Sequence, residues 1–269
     1  MFTRAIVRLP SPNFSEGLTS ADHWADPGPP QFERAVEQHA AYCAALAQCG
    51  LTVTSLPPDP NYPDSTFVED TAIFTERCAV IARPGAASRR GEVMDMSNVV
   101  ANFYPNLLSI QAPGTLDGGD VCQAGDHFFV GLSERTNEAG GQQFAELLAP
   151  FGYTSSSVDI REIGGLLHLK SALAYLGDNR LVVTEALDRA LLRYALPNGR
   201  ATAPYEIVRV SSVEEYAANC IRVNDHVLLA AGYPSFAQTL RGLGYQTIAL
   251  EMSEFQKMDG GLSCLSLRF

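Results

Sequence analysis

Five polar residues recur along this chain at nearly even intervals, and that recurrence constrains the fold more than any other feature. Asp70, Asp120, His168, Asn219 and Cys264 stand 50, 48, 51 and 45 residues apart. Each opens a segment that reads as a strand or hairpin: FVEDTAIF/CAVIAR, GGDVCQ/HFFVGL, HLKSALAYL/RLVVTEA, ANCIRVN/HVLLAA and LSCLSLRF. Turn signals split the middle three at Ala124-Gly125-Asp126, Gly177-Asp178-Asn179 and Asn224-Asp225. A period of this length marks a repeated supersecondary unit. Helical stretches lie between the hairpins, and Phe144, Leu147, Leu148 and Phe151 give the clearest amphipathic spacing. Three helices run into strands through a glycine that suits a left-handed cap, at Gly50, Gly152 and Gly244.

The fifth unit lacks a second strand because the chain stops at Phe269. TRAIVRL near the N-terminus can supply it, which would close residues 1–269 into one ring with no exposed sheet edge. Ring closure would then bring the polar entry residues to a common centre. Hydrophobic content of 46% is ample for such cores.

Composition removes several functional classes. A net charge of -11 disfavours nucleic acid and anionic membrane as partners, because both need clustered Lys and Arg, and it suits a cationic small substrate. No run approaches the length of a membrane span, and MFTRAIVRLPSPNF has no signal-peptide h-region, so the sequence reads as cytoplasmic. Cys43, Cys49, Cys78, Cys122, Cys220 and Cys264 are scattered singly, so free thiols are expected and no metal site. Dinucleotide, P-loop, serine-esterase and zinc-protease motifs are missing.

Chemistry therefore rests on single residues. Cys264 follows Asp259-Gly260-Gly261-Leu262-Ser263, where two glycines permit close backbone approach to a ligand. A lone cysteine is otherwise a small core hydrophobe. His168 in LLHLKS could meet it only through the ring. His39 falls on the helical stripe Phe32, Val36, Cys43, Leu46 and reads as packing; His23, His127 and His226 sit in loop or turn contexts. Acidic residues group as Asp64, Glu69, Asp70 and as Asp117, Asp120. Strand alternation would send Glu69 and Asp70 to opposite faces. Arg83, Arg89, Arg90 and Arg135 follow the first two hairpins and are either surface residues or forks for a substrate carboxylate.

The ordered motifs FVED, RPGAxSRRGE, LDGGD, HFFVGLSxRTN, LHLKS, AANCI and DGGLSCLSLRF resemble the dimethylarginine dimethylaminohydrolase family over effectively the whole chain. Its bacterial members are the nearest in pattern, sharing GLTS and LSLRF. The resemblance implies a five-bladed α/β propeller of the guanidine-modifying superfamily, built from ββαβ repeats. It implies hydrolysis of methylated arginine to citrulline and dimethylamine without a cofactor. Cys264 would be the nucleophile, His168 the general acid/base, and Asp117 the carboxylate orienting it, where some bacterial members carry Glu. Asp70 would hold the guanidinium with Glu69 beside it; Arg89 and Arg135 would hold the α-carboxylate; Asp64 and the Leu18 carbonyl would face the α-amino group, and Met258 would complete the pocket. Leu18 would lie on a lid loop, and the following ADHWADPGPPQ is longer than in bacterial relatives. Citrulline hydrolase and arginine deiminase share the scaffold, and a catalytically silent amino-acid-binding protein would need no thiol. The sequence leaves the oligomeric state open, a homodimer included.

Overall fold

The computed structural model describes residues 1–19, 28–188 and 205–269. Fifteen strands among them form five three-stranded sheets. Four sheets follow the chain: β3 (Ala72–Phe74), β4 (Ala79–Ile81) and β5 (Leu107–Ser109); β6 (Val121–Ala124), β7 (His127–Leu132) and β8 (Thr154–Asp159); β9 (Leu173–Gly177), β10 (Arg180–Thr184) and β11 (Glu206–Val210); β12 (Ile221–Val223), β13 (His226–Ala230) and β14 (Gln246–Leu250). In each, an antiparallel hairpin is joined by a third strand parallel to the hairpin's second strand. The fifth sheet is built from both ends of the chain. β15 (Leu267–Arg268) pairs antiparallel with β1 (Arg4–Arg8), with Ile6 opposite Leu267, and β1 pairs parallel with β2 (Thr52–Leu56). This is the five-bladed α/β propeller expected from the repeat.

Strand chemistry explains the blade order. The middle strands are buried on both faces and read as continuous apolar runs, as in HVLLA and RLVVT. Third strands are partly solvated and tolerate polar sequences such as TSSSVD. Alternation then sends neighbouring residues of one strand into different inter-blade cores. Ala5 and Val7 pack with Ile221, Val223 and Leu228 of the fourth sheet, whereas Ile6 between them packs with Ala72, Ala79 and Ile81 of the first. The apolar interior is therefore five clusters, one between each pair of adjacent blades.

Helix α1 (Phe32–Gln48) buries Ala35, His39, Tyr42 and Leu46; of the stripe expected from the sequence only His39 and Leu46 are buried, Phe32 and Cys43 are partly buried and Val36 is exposed, because the buried face is turned toward Ala35 and Tyr42. α2 (Glu92–Val100) and α3 (Glu138–Leu148) serve the first two blades, and the Asn137 side chain caps α3 by accepting from Gly140 N–H at 2.8 Å. The glycines that end helices adopt the left-handed backbone expected of them, with φ of 91° at Gly50, 82° at Gly152 and 92° at Gly244. Among the described residues, no helix is long and apolar enough to cross a membrane.

The hairpins do not begin where the polar entry residues stand. A short 3-10 turn precedes each one: Val68–Thr71, Gly118–Asp120, Leu169–Ser171, Ser212–Ala218 and Ser263–Leu265. These turns carry, or directly adjoin, the five periodic polar residues.

Candidate active site

The turns correct one expectation at once. Glu69 and Asp70 lie in a 3-10 turn rather than a strand, so alternation does not govern them and both are buried. Asp70 accepts from Gly119 N–H at 2.9 Å through Oδ1 and from Arg89 Nη1 at 2.5 Å through Oδ2. A Cβ on Gly119 would stand 2.8 Å from His168 Nδ1 and 2.9 Å from Asp70 Oδ1. Only glycine lets the second blade's turn sit between those two side chains.

His168 precedes the third blade's turn, and its Nε2 lies 3.2 Å from Asp117 Oδ2. The other oxygen of Asp117 accepts from Gly85 N–H at 2.8 Å, which fixes the carboxylate on the ring. Asp120 is tied down as well, accepting from Leu169 N–H at 3.0 Å and from Ser133 Oγ at 2.6 Å. Burial opposes charging the imidazole, yet the charge of Asp70, the Asp117 bond and the charges of Asp120 and Asp117 outweigh it and push the His168 pKa up to about 10. Burial pushes Asp120 up to about 6 against the pull of His168. Asp70 is held below the ordinary carboxylate range: its burial acts the other way, and His168 and Arg89 overcome it.

Cys264 sits in the fifth blade's turn, where its N–H donates to Gly261 O at 3.2 Å. Asn219 of the fourth blade accepts from Ser263 N–H at 2.9 Å, and a Cβ on Gly261 would collide with that amide. Burial, and then the charges of Glu69 and Asp70, push the thiol up to about 12, so it rests protonated.

One small cavity of about 30 Å³ collects most of the expected residues: Cys264, His168, Asp117, Asp70, Asp64, Leu18, Arg89, Arg135 and Met258 all line it. Glu69 does not. It borders a separate cavity of about 940 Å³ formed by the inner strands of the blades. Both Asp64 oxygens accept from Leu18 N–H, at 3.0 and 3.1 Å, so Leu18 is held by its N–H. The longer segment after Leu18 falls partly on residues 20–27, outside the described residues, as does His23.

The two arginines differ. Arg89 is buried; Nε and Nη2 grip the Glu92 carboxylate at 2.9 and 2.8 Å, Nη1 holds Asp70, and Nη2 also reaches Phe67 O at 3.0 Å. Its fork is engaged by the protein itself. Arg135 is half-buried, and its guanidinium meets no acceptor among the described residues. Of the pair, Arg135 is the one free to take a ligand's carboxylate.

Asp70, Asp117 and His168 also bring one donor atom each within 4.8 Å of one another, near enough for a metal ion on distance alone. Their oxygens already accept from Arg89, Gly119, Gly85 and the imidazole. Sequence reading passed over Glu92, Lys170, Ser263 and Leu167. The Arg89–Glu92 spacing of one helical turn was a usable signal, and Lys170 and Ser263 were visible beside His168 and Cys264.

A family model described as N,N dimethylarginine dimethylhydrolase, eukaryotic, matches residues 27–262. The chain belongs to the dimethylarginine dimethylaminohydrolase family. It is 42% identical to N(G),N(G)-dimethylarginine dimethylaminohydrolase of Pseudomonas aeruginosa over 100% of both chains. The enzyme of that name from Streptomyces coelicolor is 33% identical, covering 98% of this chain and 96% of the relative. A Pseudomonas aeruginosa family structure complexed with citrulline superposes with a TM-score of 0.90 at 42% identity, covering 100% of both chains. A family adduct with S-methyl-L-thiocitrulline does so with 0.90 at 41%, with the same coverage. Family membership and five-blade architecture thus agree.

Proposed function

We propose that this protein hydrolyses Nω-methylated arginine to citrulline and dimethylamine through a covalent adduct on Cys264. The observation that carries this reading is that a thiol, an imidazole–carboxylate pair and a second buried carboxylate, from four different blades, line one cavity. The names of the full-length relatives supply the substrate class.

The resting electrostatics fit a substrate-assisted reaction. Cys264 is a neutral thiol because of its burial and the charges of Glu69 and Asp70, and His168 is a cation because Asp70, Asp117 and Asp120 outweigh its burial. A guanidinium brought to Asp70 neutralises part of that charge. The thiol and the imidazole both become more acidic; the thiol releases its proton to solvent, the imidazolium keeps its own, and a thiolate forms beside its electrophile. Addition of Sγ to the guanidinium carbon gives a tetrahedral adduct. His168 passes its proton to the dimethylamine nitrogen, the C–N bond breaks, and a thiouronium remains on Cys264. The imidazole, now neutral, takes a proton from water as the oxygen attacks; the C–S bond breaks and citrulline leaves. Asp117 keeps the ring in register through both steps. A cavity of about 30 Å³ holds about one water, so lining side chains move to admit the substrate. Arg135, with its guanidinium uncommitted among the described residues, takes the substrate's α-carboxylate.

The test is product analysis of the purified protein offered asymmetric dimethylarginine, arginine and citrulline in turn. Citrulline and dimethylamine from dimethylarginine alone are expected. Ornithine from citrulline, or ammonia from arginine, with dimethylarginine untouched, would replace this reaction with a citrulline hydrolase or a deiminase.

A further inference from the structure

Glu69 is the one expected substrate ligand that does not line the cavity of Cys264, and both its oxygens are engaged by the chain. Oε1 pairs with Lys170 Nζ of the third blade, and Oε2 accepts from Ser263 Oγ of the fifth at 2.7 Å. The same Ser263 Oγ stands 4.0 Å from Cys264 Sγ, and the Ser263 N–H is pinned to Asn219 Oδ1 at 2.9 Å. A hydroxyl has one proton to give, and a carboxylate that only accepts claims it. What Ser263 turns toward the sulfur is therefore a lone pair.

We propose that Glu69 is a positioning residue for the thiol: by holding the Ser263 hydroxyl proton, it gives the Cys264 S–H an acceptor and denies the thiolate a donor. The inference rests on the reading of Cys264 as nucleophile. Its consequence is that the resting enzyme keeps its thiol unreactive until a substrate cation arrives. Burial and the charges of Glu69 and Asp70 push the thiol up; a Ser263 bond would pull it down only by donating to sulfur, and the Glu69 bond holds that proton. The other ionisable groups around Cys264 are the Tyr216 hydroxyl, committed to Gly260 O at 2.9 Å, and His168, Asp117, Asp64, Asp259, Arg89 and Arg135 across the cavity; Lys170 lies behind Glu69. Among the described residues, Ser263 is the side chain whose hydroxyl stands beside Sγ, and Glu69 sets the direction of its proton.

The experiment is the pH profile of Cys264 alkylation by iodoacetamide in the substrate-free full chain, read by mass spectrometry of the Cys264 peptide. Glu69→Asp keeps the charge beside Lys170 but draws the carboxylate back by one methylene, freeing the hydroxyl to donate to sulfur. Its profile should move about one pH unit lower. Ser263→Ala, which loses the acceptor without gaining a donor, should move it the same way by a smaller step, and Ser263→Thr should match the wild type. Combined with Ser263→Ala, Glu69→Asp should add nothing. A Glu69→Asp profile that coincides with the wild type overturns the proposal. So does a shift that persists without the hydroxyl, which would mean a direct charge effect. So does a KM for dimethylarginine raised more than about tenfold with the profile unmoved, which would make Glu69 a substrate ligand. If Glu69→Asp is insoluble, the Ser263 pair decides, and an Ala profile equal to the wild type is the refuting result. Alkylation is read without substrate, so a protein inert toward dimethylarginine that still shows these shifts would lose the proposed function and keep this inference.

Discussion

Two buried histidines in this molecule titrate in opposite directions. His39, on α1, is 1% exposed; its Nδ1 lies 3.6 Å from Cys43 Sγ, its Nε2 has no acceptor among the described residues, and its ring is 6.4 Å from that of Phe255. Burial alone acts on it and lowers its pKa to about 4. His168 is 8% exposed, and burial penalises its charge too, yet three aspartates from two other blades push it to about 10. Burial is common to both, so it makes neither one an active-site residue. What separates them is convergent charge, which His168 meets at the ring's centre and His39 does not.

The strongest way to break this contrast is removal of each imidazole. His168→Gly should lower the rate of citrulline formation from dimethylarginine by on the order of 100- to 10,000-fold, whereas His39→Leu should leave it within about twofold. Equal losses would mean that His39 is no mere packing residue. Next in size is the Asp70 charge. Asp70→Asn should bring His168 down from about 10 toward its ordinary 6.5, followed by NMR titration of the imidazole. An unmoved titration would transfer the effect to Asp117 and Asp120. Stability sharpens the contrast further. The unfolded His39 takes a proton near pH 6.5 and the folded one only near 4, so acidification through that window favours the unfolded chain. His39 should contribute a loss of about 3 kcal/mol, seen in denaturant melts and missing in His39→Leu. His168 has the reverse sign: its folded pKa is raised, so its contribution is full below about 6.5 and fades as pH rises through 10. The smallest effect is expected for Asp120→Asn, which removes a charge lacking direct contact with the imidazole. His168 should fall by less than in Asp70→Asn, and an equal fall would show that Asp120 is the principal partner.

Much of this was legible in the residues. The spacing of Asp70, Asp120, His168, Asn219 and Cys264 gave five blades and a centre, because each polar residue marks a chain entry that strand periodicity alone cannot disguise. The need for β1 to complete the last blade followed from a chain that ends at Phe269, and the pairing of Ile6 with Leu267 realises it. Local conformation at the entries was not legible. Glu69 and Asp70 were assigned strand faces, but the turn Val68–Thr71 buries both and aims them at different blades. The fate of Arg89 was equally hidden: nothing in RPGAASRRGE says that its fork closes on Glu92 and Asp70 while Arg135 stays open.

Sequence by itself determined which residues are polar amid apolar strands, where each repeat begins, and which glycines can admit a close neighbour. Those are local matters, set by side-chain chemistry and backbone freedom. Tertiary structure alone decided which charges meet: that Asp117 faces His168 across 51 residues, that Glu69 faces Ser263 across 194, and that the thiol and the imidazole are both held protonated, the one by burial and nearby carboxylates, the other by carboxylates against burial. Electrostatic interaction depends on distance and burial, and closing the ring is what sets both.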